Sequence, residues 1–129
     1  MPLVRIEVQR GRSSEELRKL ADVIQEVMEE VFAAPWGDRY QVLTEHPVGH
    51  VIVEDSGLGF RRTDKIVVLQ IFHQGRSVEQ KTAAYQQLGR RLEKECGLSP
   101  ADLVVCMVEN DRADWSFGEG RAQFLTGEL

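Results

Sequence analysis

Three observations predict that residues 1–129 form a single α+β domain, with a four-stranded sheet and two helices on one face. The segment at 11–15 (GRSSE) returns at 75–79 (GRSVE), 64 positions later, and the same offset relates Asp38 to Asp102. Each copy opens with a strand-like run and continues with an amphipathic helical pattern. Similarity at a fixed offset is typical of a duplicated structural unit. The sequence therefore predicts a β-α-β unit that occurs twice, in halves at about 1–46 and 65–110.

The first copy reads as strand, helix and strand. Val4, Ile6 and Val8 alternate with polar residues, which predicts a half-buried strand. Ser13 and Glu16 fit a capping box, which predicts the start of a helix. The apolar face of that helix is formed by Leu17, Leu20, Ala21, Ile24, Val27, Met28 and Val31. The segment 35–37 ends the helix, and a short second strand is expected at 40–43.

The second copy repeats this order. A strand is expected at 66–72, a capping box at Ser77 and Gln80, and a second strand at 103–108. The apolar face of its helix is formed by Ala84, Leu88 and Leu92. A strand, a crossover helix and a second strand predict parallel pairing with a right-handed crossover.

Two segments lie outside the repeated units. The connection between the halves is expected to be a hairpin region, with an extra edge strand at 50–53. The C-terminal tail, 115–129, carries turn signals at Gly118, Gly120 and Gly127. We expect this tail to be long enough to reach a neighbouring subunit.

Composition, charge and hydropathy argue against several functional classes. The formal net charge of −5 argues against binding to nucleic acid, which needs clustered Lys and Arg. No apolar run approaches the roughly 20 residues of a membrane span, and the N-terminus lacks the pattern of a signal peptide. Cys96 and Cys106 lie in apolar contexts without C-x-x-C spacing, so we expect two buried free thiols in a reducing cytoplasm.

Pro2 is the first candidate catalytic residue. A small residue after the initiator Met permits removal of Met1, and the mature chain would then begin with a secondary amine. Such an amine can act as a general base when neutral, and as a general acid or a polariser of a carbonyl when protonated. The alternative is that Pro2 only begins a strand, where its missing N–H does no harm.

Arg12, Arg76 and Asp38 are the charged candidates. The two arginines hold equivalent places after a strand and before a helix, and a helix N-terminus favours anions. Arg76 can therefore bind a carboxylate with two parallel hydrogen bonds, unless it is an exposed arginine in a turn. Asp38 closes the first helix–strand connection, where the alternatives are a turn residue and a surface ion pair.

Several other motifs do not fit a phosphate-binding, metal-binding or serine-nucleophile site. The 57–59 segment (GLG) lacks the third glycine of a phosphate loop, and we interpret it as a turn. His46, His50 and His73 lack metal-ligand spacing, and no serine stands in a nucleophile elbow. Trp115 and Phe117 stand at alternate positions and fit a core, a subunit interface or an apolar pocket wall.

Taken together, Pro2 before a strand, the duplicated unit, Asp38 and Arg76 resemble the tautomerase superfamily, and within it the malonate semialdehyde decarboxylases. The resemblance covers nearly the whole chain and rests on the segments 37–41, 54–60, 76–81, 108–110, 114–118 and 124–129. It implies a homotrimer that acts on a small oxo-carboxylate without a metal or an organic cofactor.

By residue-by-residue comparison, the resemblance implies that Pro2, Asp38 and Arg76 are catalytic. It also implies that Trp115 and Phe117 line the substrate pocket, next to His73 and Gln74. Gln74 is a departure, since the better-known decarboxylases carry a second arginine there; a glutamine hydrogen-bonds but brings no charge.

The resemblance leaves several activities open. Decarboxylation of malonate semialdehyde to acetaldehyde and carbon dioxide is the leading prediction. The alternatives are keto–enol tautomerisation of 2-oxo acids such as phenylpyruvate, and hydration or dehalogenation of 3-haloacrylates. An inactive binding domain with the same fold is the non-enzymatic alternative, because a fold alone does not choose among functions.

Overall fold

The structure is a computed structural model, and it describes residues 2–129. The first half contains β1 (Leu3–Gln9), α1 (Ser14–Phe32) and β2 (Tyr40–His46). The second half contains β3 (Val67–Gln74), α2 (Val78–Cys96) and β4 (Leu103–Asn110). A short helix, α3 (Gln123–Thr126), lies in the C-terminal tail. The predicted strand–helix–strand order of both halves is confirmed.

The four strands form one mixed sheet in the order β2-β1-β3-β4. β1 pairs with β2, and β3 with β4, in parallel, as each crossover helix predicts. The two halves meet through the antiparallel pair β1 and β3, with Leu3 opposite Phe72. The strands β2 and β4 are therefore the two edges of the sheet.

Both long helices start at the predicted capping boxes. The Ser13 hydroxyl accepts a hydrogen bond from the Glu16 backbone at 3.1 Å, and the Glu16 carboxylate accepts one from the Ser13 backbone at 2.9 Å. Ser77 and Gln80 form the same reciprocal pair at 3.1 and 3.0 Å. Each pair satisfies two backbone donors that a helix N-terminus leaves without partners.

The helices cover one face of the sheet, and the core lies between the two layers. It combines alternate strand residues with the apolar stripes of α1 and α2: Val4, Ile6, Val8, Leu20, Ile24, Val27, Met28, Leu69, Ile71, Ala84, Leu88 and Leu92. Neither α1 nor α2 covers the opposite face of the sheet. Val42 and Val108 are exposed there.

Three expectations about the connections and thiols need correction. Residues 50–53 form no strand, and Ile52 is exposed, because the segment runs past the sheet without pairing to either edge. The connection therefore consists of turns and extended chain rather than a hairpin. Both cysteines are free, as expected, but neither is fully buried: Cys96 is partly exposed, and Cys106 is exposed because it lies on the face of β4 opposite α1 and α2.

Within residues 2–129, none of the helices is both long and apolar enough to cross a membrane. The expected removal of Met1 concerns a residue outside the described ones.

Candidate functional site

The sheet topology brings most of the predicted site residues to one end of the sheet. β1 and β2 are parallel, so Pro2, just before β1, and Asp38, two residues before β2, lie at the same end. β3 runs in the opposite direction and ends there, which adds Gln74 and Arg76. β4 is parallel to β3, so the tail with Trp115 also leaves from this end. Pro2 itself is buried.

Asp38 is a buried carboxyl group and not a surface turn residue, since only 5% of it is exposed. Burial raises the pKa of Asp38 above its usual value, because an apolar surrounding disfavours the ionised form. Nearby positive charge, that of Arg76 included, acts in the opposite direction and favours the carboxylate. Burial is the larger of these two opposing effects on Asp38.

Arg76 is half-buried beside the C-terminus of α1. Its Nη1 donates to the backbone oxygens of Gln74 at 2.6 Å and Gly75 at 3.3 Å, and its Nη2 donates to the Phe32 oxygen at 3.0 Å. These bonds fix the guanidinium plane and leave the Nε–H and one Nη2–H without an acceptor among them. Within residues 2–129 the Nε atom has no hydrogen-bond partner, and it is also buried. The Nε–H donor is therefore closed to solvent in this structure.

Burial lowers the pKa of Arg76, while the charge of Asp38 raises it. An arginine stays protonated in proteins even so. The site therefore holds the permanent positive charge of Arg76 next to the carboxyl group of Asp38, whose pKa is raised by burial.

His73 lies behind the site rather than on its surface. It is 0% exposed, and its ring packs at 5.6 Å from the ring of Phe32. Burial lowers the pKa of His73, so the imidazole is neutral near pH 7. Within the described residues neither ring nitrogen makes a hydrogen bond of good geometry. His73 is therefore closed to solvent in this structure, and its predicted contact with a substrate stays a prediction.

Gln74 points to the other face of β3, because side chains alternate along a strand. Its register partner on β4 is Asn110. The Gln74 Oε1 atom is buried and has no hydrogen-bond partner within residues 2–129.

Aromatic side chains of the tail form one wall of the site. Trp115 and Phe117 stack with ring centroids 5.5 Å apart and planes 13° apart. Phe117 also lies 5.6 Å from Tyr40, and Phe124 of α3 meets its ring edge-on at 5.3 Å. We refer to these four residues as the aromatic wall. The tail therefore folds over its own chain.

A cavity of about 370 Å³ lies between part of this wall and Asp38, but Pro2, Arg76 and Trp115 are not among its lining residues. Its lining consists of Pro35, Trp36, Gly37, Asp38, Tyr40, Phe117 and Leu129. One carboxyl group among apolar and aromatic side chains is a common composition for a small-molecule site. Trp36, at its mouth, is 96% exposed.

Sequence reasoning missed four contributors to this site: Phe32, Trp36, Tyr40 and Leu129. The pairing of Tyr40 with Leu3 follows from the predicted parallel register and could have indicated its position beside Pro2. Phe32 contacts a residue 44 positions away, and no local pattern in the sequence signals that contact.

The opposite end of the sheet carries the duplicate of the site in a closed form. Asp102, the counterpart of Asp38, accepts hydrogen bonds from the Thr63 backbone at 2.7 Å and from the Thr63 hydroxyl. Arg12, the counterpart of Arg76, donates to the Lys65 oxygen at 2.6 Å. The chain that connects the two halves thus occupies the place that remains a cavity at the Asp38 end.

Two further features of the structure bear on where a site could lie. A groove of about 430 Å³ between α1 and β2 is lined in part by Arg39, which is held by Asp22 at 2.8 Å, and it contains none of the predicted catalytic residues. Within residues 2–129, no three His, Cys, Asp or Glu side chains converge in a way that could hold a metal ion.

Comparison with known proteins adds independent information. Two models of the tautomerase enzyme family match the chain, one over residues 38–118 and one over residues 2–61. The probable tautomerase YrdN of Bacillus subtilis (strain 168) is 52% identical over 129 residues, covering 100% of both chains. The probable tautomerase YusQ of the same organism is 33% identical over 126 residues, covering 97% of this chain and 99% of its own.

Solved structures agree with this picture. A malonate semialdehyde decarboxylase is 42% identical, with a TM-score of 0.95 and 98% of each chain covered. A second one, inhibited by 3-bromopropiolate, is 40% identical with a TM-score of 0.94, covering 98% of this chain and 97% of its own. A symmetric trimer of fused 4-OT has the same fold at 18% identity and a TM-score of 0.79, with 97% and 98% covered.

Proposed function

Because the chain belongs to the tautomerase family, we propose that it is an enzyme that decarboxylates malonate semialdehyde, a small 3-oxo acid, with Pro2 as its catalytic amine. The observation that carries this proposal is the cavity in which Asp38, beside Arg76, faces Phe117 of the aromatic wall. The 42% identity to a malonate semialdehyde decarboxylase supports the same substrate class.

The chemistry needs an anion-binding group and a cationic donor. The bond between the carboxylate carbon and the α-carbon breaks, carbon dioxide leaves, and the electron pair forms an enolate that is protonated to acetaldehyde. Protonated Pro2 donates a hydrogen bond to the carbonyl oxygen as negative charge develops there. No metal or organic cofactor is invoked, since the carbonyl lies β to the carboxylate.

In this proposal Arg76 attracts the substrate carboxylate with its permanent positive charge. Three hydrogen bonds to backbone carbonyl oxygens keep the guanidinium in a fixed orientation. The apolar wall favours the step because the charged carboxylate is converted to neutral carbon dioxide. Asp38 favours the protonated form of Pro2 by its negative charge.

Removal of Met1 is part of the proposal, because the secondary amine exists only on a chain that begins at Pro2. Pro2 lies at the same end of the sheet as Asp38, which supports a role for the amine beside that carboxyl group.

Keto–enol tautomerisation of a 2-oxo acid such as phenylpyruvate is the second candidate. One specific observation favours it: Gln74 supplies no positive charge where the better-known decarboxylases of the family carry an arginine. With a neutral Pro2 the same cavity would transfer a proton between carbon and oxygen. The 52% identical relative is named a probable tautomerase.

We infer that the enzyme is a homotrimer. The face of the sheet opposite α1 and α2 exposes Val42 and Val108, and within residues 2–129 no further strand pairs with the edge strands β2 and β4. A fused 4-OT with this fold is a symmetric trimer. Sedimentation at micromolar concentration should show a species of three subunits, and a single 14.7 kDa species would contradict the inference.

Three parallel assays test the proposed reaction. Malonate semialdehyde is followed by the acetaldehyde formed, phenylenolpyruvate by its ketonisation, and 3-haloacrylates by halide release, each with a Pro2→Ala variant as the control. We expect acetaldehyde formation that depends on Pro2, with weak ketonisation. Efficient ketonisation without acetaldehyde would favour the tautomerase. Turnover of 3-haloacrylates alone would indicate a hydratase or dehalogenase, and inactivity with all three substrate classes would favour a binding domain.

A further inference from the structure

Asn110 and Trp115 are joined by a hydrogen bond at the end of β4. The indole Nε1–H of Trp115 donates to the Asn110 Oδ1 atom at 2.7 Å. An indole N–H is only a donor, so the amide oxygen must be the group that faces it. Asn110 is the last residue of β4, and its backbone is held in the sheet by pairing with Gln74.

A tight turn between the two residues makes this bond possible. The Asp111 backbone donates to the Asp114 carboxylate at 2.7 Å, and the Asp114 backbone donates to the Asp111 oxygen at 3.0 Å. The turn brings the indole back over the end of the strand. The ring of Trp115 is thus attached to the rigid sheet at its polar edge and stacked on Phe117 at its face.

Phe117 connects Trp115 to the cavity, because it contacts both. Its ring lies against Trp115, Tyr40 and Phe124, and it lines the cavity together with Asp38. Its backbone N–H donates to the Gln123 Oε1 atom at 2.9 Å, while Gln123 Nε2 donates to the Gly118 oxygen at 2.8 Å. These bonds hold the main chain near Phe117 but leave the tilt of the aromatic rings to their mutual contacts.

We propose that Asn110 is a positioning residue of the active site, which orients the aromatic wall through its hydrogen bond to Trp115 and so sets the affinity for the oxo-carboxylate substrate. Asn110 acts on the substrate only through Trp115 and Phe117. The kinetic part of this inference rests on the proposed function; the structural part does not.

Exchange of the indole hydrogen tests the structural part. The chain has two tryptophans, and Trp36→Phe assigns their two indole N–H signals in NMR spectra. We expect slow solvent exchange for Trp115 and fast exchange for the exposed Trp36. Asn110→Leu should abolish the protection of Trp115, while Asn110→Asp, which keeps an acceptor oxygen, should retain it. Fast exchange of both indoles in the native protein would overturn the proposal.

A double-mutant cycle separates positioning from a merely structural role. Asn110→Leu should raise KM roughly three- to tenfold, the range that one hydrogen bond of this kind supports, with a smaller effect on kcat. Asn110→Asp should recover most of that loss. In a Trp115→Phe background, which lacks the indole N–H, Asn110→Leu should cause little further change. An equal loss in both backgrounds would show that Asn110 only supports β4, and would overturn the proposal.

The same series gives an answer if the substrate is not the one proposed. In that case the dissociation constant of phenylpyruvate, measured by NMR titration, replaces KM. Loss of indole protection without a change in KM or in that dissociation constant would overturn the positioning role while leaving the proposed reaction untouched. Protection that follows the expected series in a protein without turnover would contradict the proposed reaction alone.

Discussion

The guanidinium of Arg76 lies 5.2 Å from the centre of the Phe32 ring and donates to the Phe32 backbone oxygen at 3.0 Å. One residue thus meets both the face of an aromatic ring and the C-terminal end of α1, where the helix dipole favours positive charge. Lysine cannot reproduce this arrangement, because it lacks the planar, multi-donor geometry of arginine. The fold therefore fixes the orientation of the Arg76 guanidinium as well as placing a positive charge there.

Replacement of Arg76 should accordingly impair catalysis. We expect Arg76→Ala to lower kcat/KM by an amount equivalent to roughly 2–5 kcal/mol, as for the loss of a charge-assisted contact in a partly desolvated site. Arg76→Lys should recover only part of this, since it keeps the charge but loses the fixed donors.

Arg12 provides the matched control for Arg76. It occupies the duplicate position at the opposite end of the sheet and donates to the Lys65 oxygen. Arg12→Ala should leave kcat/KM within about threefold of native. Equal losses for the two alanine variants in steady-state assays would place the anion-binding role in doubt.

Much of this architecture could be predicted from the sequence, and there are physical reasons why the remaining features could not. The repeat and the capping boxes predicted both β-α-β units, because period and cap are local signals. The strand expected at 50–53 is absent, since an apolar run forms a strand only where a sheet edge accepts it. The sequence could not predict that the Asp102 end of the sheet is filled while the Asp38 end holds a cavity. The hydrogen bond between Thr63 and Asp102 joins residues 39 positions apart, and no local pattern signals it.

Asp38 and Asp102 should respond in opposite ways to loss of charge. Burial raises the pKa of Asp38, so ionisation above the unfolded-state value, about 3.9, costs folding free energy. Asp38→Asn should therefore raise Tm at pH 7 while lowering kcat, and the gain in Tm should vanish near pH 3. Asp102→Asn weakens the bond to the Thr63 hydroxyl and should lower stability by about 1 kcal/mol. Thermal unfolding followed by circular dichroism measures both; a lower Tm for Asp38→Asn would contradict this account.

His73 should make the fold sensitive to acid. Burial lowers the pKa of His73 in the folded protein, so the unfolded chain takes up a proton more readily. Stability should be full above the unfolded-state pKa of about 6.5 and should fall as the pH drops from there towards the folded-state pKa. His73→Asn removes this slope between pH 7 and pH 5 in urea unfolding experiments, whereas His50→Asn, at an exposed position, should keep it. A native slope that persists in His73→Asn would assign the acid sensitivity to another group.

The amine of Pro2 is tested most directly by covalent labelling. A similar malonate semialdehyde decarboxylase is inhibited by 3-bromopropiolate, a small carboxylate that matches the proposed anion site. We expect this compound to inactivate the enzyme with time and to leave one adduct on the peptide that begins at Pro2, seen by mass spectrometry. Pro2→Ala should lower kcat/KM by roughly 10²-fold or more, as for loss of a general acid.

Two comparisons make the labelling decisive. Arg76→Ala should slow the labelling because it weakens binding of the carboxylate, yet it leaves the amine in place, so excess reagent should still reach Pro2. Protein that retains Met1 has no secondary amine at Pro2 and should be neither labelled nor active. Full activity with Met1 present, or an adduct on Cys106 that alone accounts for inactivation, would remove Pro2 from the mechanism. The exposed thiol of Cys106 makes that second outcome chemically accessible, and a Cys106→Ser variant resolves it.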